Sequence, residues 1–463
     1  MCYNGIPRVA TPVKQTSALK DGVFLLETRY AQEVVYNIGK KISYPKLLVL
    51  SKPLLQELTY KKMTCPAGHT VKLIKIFALD EKYCPVCSLK YDEKENPTEK
   101  LDIYTFTAKT MQDEKIEIFS TSPADIDIYN LISIENGNEV SVASKNRGVF
   151  HKGLFVENGT ITKFVENVQI QKSFLTKERA IAEFMANRPI PNYPKEFYDA
   201  WKHAWFLSMV KSDINILTVA EAGFGKTEAA LQAKEIVDGA YIDTPNSSSI
   251  AIIGSAIKDI TGSYHFEGGA IFQAKNNLLI VDEVEKMKDY NYLRQVNTLL
   301  ANHTFTYRKA NIFYEDNNFH ISFFGLGNPN TRGMLFNGIP KFIIDNTFSH
   351  NPEFLSRMHL IFAFRNKGSD TSQIRKISTD ALTGFINYAR SIVVKEPSKE
   401  ITEMITDLAK EYASKTNDSR AYIKVLNLCE AEAKLNLSQY ITEKEIEEVR
   451  NLLEISIKLL YDR

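Results

Sequence analysis

Lys226 and Thr227 close a glycine-bearing turn, AEAGFGKTEAA, that follows the apolar run INILTVA and opens a helical stretch. Main-chain N–H groups at a helix N-terminus point toward bound phosphate, and the helix dipole adds to the attraction. The Lys226 ammonium would neutralise β- and γ-phosphates and the Thr227 hydroxyl would ligate magnesium. Ala222, Gly223, Phe224, Gly225, Lys226 and Thr227 are therefore the expected nucleotide contacts. The first glycine of the usual pattern is Ala220 here, and Gly-rich turns ending in Lys-Thr also arise by chance. The run NLLIVDEVEKM supplies a second constellation. Asp282, at a strand's C-terminal end, can hold magnesium through water, and Glu283 can orient an attacking water. An acidic pair starting a solvated helix is an ordinary use of the same residues; its place after the phosphate turn favours the chemical one. Together the two motifs predict an NTPase.

Two further residues fit that chemistry. Asn328 ends the buried run HISFFGLGNPN, where an amide can position water or touch a γ-phosphate, although Asn-Pro is by itself only a turn signal. Arg357 lies in NPEFLSRMHLIF between a helical turn and an apolar strand. An arginine so presented can reach a neighbouring subunit's nucleotide as a finger, or simply form a surface salt bridge. A separate cluster, CPAGH at Cys65–His69 and CPVC at Cys84–Cys87, offers Cys65, His69, Cys84 and Cys87 as four ligands suited to tetrahedral Zn2+ of the closed, structural kind. Zinc there would contribute directly to folding of a small lobe.

The elements that must position these residues fall into blocks. From Gly22 to about Lys172, short β-rich runs (GVFLLETRY, KLIKIF, LDIYTFTAKT, KIEIF, EVSVAS) alternate with turns, which predicts an all-β N-terminal domain over 1–172 with the zinc-binding insertion at 60–92. A charged stretch, SFLTKERAIAEFMANRP, broken by Pro189, Pro191 and Pro194, reads as a linker over 173–197. Over 198–395, continuous apolar runs followed by helical periodicity predict an α/β core with a parallel sheet. Three amphipathic helices close the chain over 396–463.

Composition narrows the class. The chain has 463 residues, enough for two or three domains. No apolar run is long enough to span a bilayer, and MCYNGIPRVATPVKQ has neither the apolar core of a secretory signal nor the pattern of a transit peptide, so the expected location is cytoplasmic, or nuclear in a nucleated host, with no membrane partner. A net charge of +1 leaves nucleic acid open, because a binding face needs only local positive charge. Three of the five cysteines are grouped, which suits a metal site in a reducing compartment better than a disulfide framework.

Taken in order, the segments resemble the minichromosome maintenance (MCM) family of AAA+ replicative helicases. SDINILTVAEAGFGKTEAAL resembles its Walker A segment, TPNSSSIAIIGSAIKDITGSYHFEGGAIF its helix-2 insert, LLIVDEVEKM its Walker B, VNTLLANHTFTYRKANI the helix and pre-sensor hairpin, GLGNPN sensor 1 and FLSRMHLIF the arginine-finger segment. ISTDALTGFINYAR and SRAYIKVLNLCEAEAKL resemble the C-terminal lid. The resemblance implies ATP and Mg2+ at Lys226, Thr227 and Asp282, Glu283 as catalytic base and Asn328 as sensor 1. It implies that Arg357 and Arg420 act on an adjacent subunit's ATP, and that Lys309, with its neighbour Arg308, reaches DNA. It further implies an oligonucleotide-binding (OB) barrel carrying the zinc ribbon, with KNRGVFHKG (145–153) as a DNA contact or a solvated basic loop. The expected assembly is a hexameric homo-oligomeric ring on single-stranded and forked DNA, moving 3′ to 5′, with a replication initiator or primase as partner. Four departures stand out: Ala220, Ala222 where the family has proline, Met358–His359 after the finger, and a chain ending soon after the lid helices, so that the family's winged helix is expected to be missing. The alternatives are a DNA-dependent AAA+ ATPase that melts or remodels an origin, and an assembly factor that holds ATP as a structural clamp.

Overall fold

The computed structural model describes residues 23–27, 32–64, 66–68, 70–75, 89–90, 98–122, 125–144, 150–156, 160–163, 175–186, 190–191, 193–258, 264–287, 290–309, 312–329, 336, 338–365, 369–370 and 379–461. The chain divides into two compact units: 1–167 with 255–268 and 308–313, and 168–254 with 269–307 and 314–463.

The first unit holds β1 (Val23–Glu27), β2 (Gln32–Val49), β3 (Leu54–Thr64), β4 (Thr70–Lys75), β5 (Thr98–Thr110), β6 (Lys115–Ser120), β7 (Leu131–Ser144), β8 (Phe150–Val156) and β9 (Thr160–Lys163). Five of these strands close on themselves: β2 pairs with β5, β5 with β6, β6 with β8 in parallel, β8 with β7, and β7 returns to β2. Period-2 alternation explains the closure, because every second side chain must be buried. Leu47, Val49, Phe106, Ile116, Ile118, Ile132, Ile134 and Leu154 fill the interior. Tight curvature needs a small residue where strands approach: a Cβ at Gly137 would lie 2.8 Å from Leu154 Cγ. The hairpin β3–β4 is paired up to Thr64↔Thr70. Cys65, His69, Cys84 and Cys87, the expected zinc ligands, lie outside the described residues, as do residues 145–149 of the basic segment.

The second unit begins with α1 (Lys177–Glu183), β10 (Ile190–Pro191), α2 (Lys195–Val210), β11 (Asn215–Ala220), α3 (Lys226–Val237), β12 (Ala240–Asp243) and α4 (Ser249–Ile253). Next along the chain come β13 (Gly254–Lys258) and β14 (Tyr264–Gly268), whose residues 255–268 belong to the first unit, then α5 (Ala270–Gln273), β15 (Leu278–Asp282), α6 (Tyr290–Asn302), β16 (Phe305–Lys309) and β17 (Ile312–Asp316), whose residues 308–313 also belong to the first unit, and β18 (Ser322–Gly327). The chain ends with α7 (Pro340–Thr347), α8 (Pro352–Leu355), β19 (Leu360–Phe364), β20 (Ser369–Asp370), α9 (Asp380–Ser391), α10 (Lys399–Thr416), α11 (Ala421–Leu435) and α12 (Glu443–Tyr461). Five strands form a parallel sheet in the order β12-β15-β18-β11-β19. Every residue of β11, β15 and β18 is buried, as expected where helices cover both faces. β13–β14 and β16–β17 form separate two-stranded sheets. No helix among the described residues is long and apolar enough to cross a membrane.

Spacing of four on α2 puts Trp201 and Trp205 on one face. Trp205 stacks on Phe324 of β18 at 3.5 Å, and Trp201 Nε1 donates to Thr218 Oγ1 of β11 at 2.9 Å. The stretch 173–197 departs from the expected linker. Ala180, Phe184 and Met185 are buried in the core, Phe184 packing edge-on against Phe206, while Lys177 meets the fully buried Glu432 of α11 at 2.7 Å. The three terminal helices, α10, α11 and α12, share that same core.

Candidate active site

The phosphate turn sits where β11 hands over to α3. Gly223 (φ +83°) and Gly225 (φ +89°) hold left-handed conformations that residues with a Cβ adopt at a cost, and Gly225 caps α3. The first N–H groups of any helix lack intrahelical acceptors and remain for an external anion. Phe224 does not turn toward a ligand. Its ring is buried, stacked on Phe364 at 4.3 Å and edge-on to Trp201, so only its main chain can face phosphate.

Lys226 Nζ donates to Asn328 Oδ1 at 3.2 Å and to the Ala220 carbonyl. Burial brings its ammonium down to about 8, against the opposing pull of Asp282, Glu285, Glu283 and Glu221. Thr227 Oγ1 donates to Asp282 Oδ2 at 2.8 Å, so a hydroxyl and a carboxylate of the kind that hold Mg2+ already touch. Asp282 also accepts from the Tyr241 hydroxyl at 2.9 Å and from the Glu283 N–H at 2.9 Å. Glu283 has φ +51°, and its carboxylate pairs with Lys286 at 2.8 Å. These donor types fit a divalent cation beside the phosphates.

Three residues here escaped the sequence reading. Glu285 is buried and accepts from Asn328 Nδ2 at 2.9 Å and from the Asn328 N–H at 3.1 Å, which makes it the brace that aims the amide at Lys226. Burial raises its carboxyl, and the Asn328 hydrogen bonds oppose that rise. Tyr241 and Thr244 hold Asp282, the latter through its carbonyl at 2.7 Å. Glu285 carried a faint signal as the second acid of DEVEK; Tyr241 and Thr244 carried none.

Arg357 and Arg420 come together elsewhere. Arg420 Nη1 donates to Ser356 Oγ at 3.1 Å, and both arginines line one cleft of about 150 Å³ with Lys424. Burial, then the Arg420 charge, holds the Arg357 guanidinium below the usual arginine range. Arg357 Nε is buried with no hydrogen-bond partner among the described residues. The strands β11 and β19 run parallel with Ile216↔Leu360 and Ala220↔Phe364, the phosphate turn following the ends of these pairs and Arg357 preceding their start. The two features are thus separated by the five-residue strand, about 16 Å. His359, the departure after the finger, is buried and accepts from the Asn215 N–H at 3.0 Å. Full burial pushes its imidazole down to about 3. Arg308 and Lys309 are exposed on β16, with Arg308 4.6 Å over the Phe313 ring.

A glycine turn between a buried parallel strand and a helix, with an acidic neighbouring strand end and an amide from a third strand, defines a P-loop domain of the α/β class. Residues 202–382 match the family model of the MCM P-loop domain. Similar proteins include the minichromosome maintenance protein MCM of Saccharolobus solfataricus, 23% identical over 75% of this chain and 56% of that protein. The DNA replication licensing factor MCM4 of Arabidopsis thaliana is 24% identical over 54% of this chain and 32% of its own length. The licensing factor mcm7 of Schizosaccharomyces pombe is 21% identical over 55% and 37%. The chain thus matches about half of the first relative and about a third of the others. Residues 202–382 thus form a P-loop domain similar to that of MCM proteins, with the α/β AAA+ fold.

Proposed function

We propose that this chain is an ATP-dependent DNA helicase: a hexameric ring motor that moves along single-stranded DNA and unwinds duplex during replication. The observation that carries the reading is the strand-length separation, about 16 Å, between the Arg357–Arg420 pair and the chain's own phosphate turn. Arginines placed at the opposite end of the strand from the turn suit a neighbour's nucleotide better than their own, and a head-to-tail neighbour that closes by rotation brings them to one. Lys226 neutralises the β- and γ-phosphates, Asn328 braced by Glu285 fixes the attacking water or the γ-phosphate, and Glu283 leaves Lys286 to accept the water proton. Thr227 and Asp282 would hold Mg2+, which would supply charge neutralisation beside the phosphates.

Arg308 and Lys309 grip phosphates without regard to sequence, which suits a motor that passes every base. The closed five-stranded ring supports an OB barrel for single strands, and Cys65, His69, Cys84 and Cys87 hold a structural Zn2+ in the inserted lobe.

The test mixes two inactive variants, Lys226→Ala and Arg357→Ala. Each alone abolishes hydrolysis; an equal mixture regains about one quarter of complete sites, because one variant supplies the phosphate turn and the other the arginine. No recovery on mixing overturns the shared site. On a forked duplex the motor gives product with ATP and none with Glu283→Gln. DNA-stimulated hydrolysis without product favours origin melting, and no turnover at all favours an ATP clamp.

A further inference from the structure

Away from the phosphate turn, at the opposite end of the parallel sheet, three side chains from three loops converge. Asp213 lies in the turn between α2 and β11, His303 directly follows α6, and His320 precedes β18. They form the one cluster among the described residues whose donor atoms lie close enough to share a metal ion, all within 4.8 Å of one another. We propose that Asp213, His303 and His320 form a binding site for a borderline divalent metal ion of the zinc type, which staples the root of the β16–β17 hairpin to the strand that leads into the phosphate turn.

Geometry is the first support. Both imidazoles turn Nδ1 to the same carboxylate: His303 Nδ1 lies 3.2 Å from Asp213 Oδ1, and His320 Nδ1 lies 2.9 Å from Oδ2. Metal–ligand bonds of about 2.0–2.2 Å meeting at 90° to 109° put ligand atoms about 2.9–3.5 Å apart. The two nitrogen–oxygen separations fall in that interval, which is also the range of an N–H···O hydrogen bond. The second support is His320 Nε2, 3.0 Å from Asn318 Oδ1. Its N–H donating to that amide oxygen leaves Nδ1 facing the carboxylate, where it either carries a proton to Asp213 or offers a lone pair to a shared cation. A carbonyl behind the far ring nitrogen is also how metal-bound histidines are commonly oriented. The two rings stack at 4.4 Å, so protonating both would set like charges face to face, whereas one shared ion serves both lone pairs.

The backbone is already arranged. Asp213 N–H donates to the Ile321 carbonyl at 3.0 Å, Phe319 N–H to the His303 carbonyl at 2.8 Å, and Asn276 N–H to the His320 carbonyl at 2.7 Å. These bonds tie the three loops together whatever the side chains hold. The side chains themselves remain 20–38% exposed, enough for an ion to enter and for water to complete its shell. Two neutral imidazoles and a carboxylate suit zinc-like ions over magnesium or calcium, which prefer oxygen throughout. No reaction is assigned to the ion. Thr304 alone separates His303 from β16, and His320 stands four residues beyond β17, so an ion here clamps both ends of the hairpin.

The test uses the full chain, stripped by chelator and reloaded with Zn2+ or Co2+. Wild type holds one metal equivalent more than His320→Gln or Asp213→Asn by elemental analysis. With Co2+, those variants lose visible bands of nitrogen–oxygen coordination while any thiolate charge-transfer bands stay unchanged, and His303→Ala weakens binding by at least about tenfold. Equal metal content in wild type and all three variants overturns the site, as does a wild-type Co2+ spectrum with thiolate bands alone. The spectrum depends on no variant, so a substitution that fails to fold does not rescue the proposal. Because the readout is metal, it stands or falls apart from the helicase reading.

Discussion

Burial lowers Lys226 to about 8, and its side chain touches Asn328 and the Ala220 carbonyl. Adding the phosphates of ATP beside it restores the ordinary lysine value of about 10.4 or more. A group whose pKa rises on binding supports binding fully below its free value and loses that support as pH climbs from the free value toward the bound one. With a free value of 8, the apparent dissociation constant carries a factor of about 1.1 at pH 7 and about 11 at pH 9. ATP affinity should therefore fall about tenfold between those pH values, which is about 1.4 kcal/mol. Isothermal titration of a non-hydrolysable ATP analogue with Mg2+ reads the constant, and repeating it in buffers of different ionisation heat reads about half a proton taken up at pH 8. Lys226→Arg is the control, since arginine stays charged and removes the slope. An affinity constant within about twofold from pH 7 to 9, with no proton uptake, would refute the reasoning.

Phe224→Ala removes the ring stacked on Phe364 and should cost about 3–5 kcal/mol in urea unfolding; it should also weaken nucleotide binding by freeing the tip of the turn. His359 is neutral in the fold with a value near 3, so protonation favours the unfolded chain as pH falls below about 6.5. Wild type should lose about 2 kcal/mol more than His359→Asn between pH 7 and pH 5, and parallel losses would show that the buried imidazole is not responsible. Glu432→Ala strips the counter-charge from Lys177 and His203 in the core and should cost about 3–5 kcal/mol; a loss below about 1 kcal/mol would mean water reaches those cations.

What the sequence by itself determined is the chemistry that is local along the chain. INILTVA, NLLIVD and HISFFGLG are apolar runs closed by polar turns, and only inner parallel strands bury such runs on both sides. The phosphate turn, Asp282, Glu283 and Asn328 follow directly from where those strands end. Other features had no local mark. Phe224 turns inward because Phe364, contributed by β19, offers it an apolar stack. The segment holding α1 reads as a linker by its charges and prolines, and it becomes core because Lys177 finds Glu432 255 positions away. Glu285 takes its bracing role only when β18 lays Asn328 against it. Asp213 meets His320 across 107 residues, and Arg357 meets Arg420 only once the last helices pack. A pairing between distant side chains depends on packing that no single stretch of sequence encodes, and that is why the tertiary structure alone decided these sites.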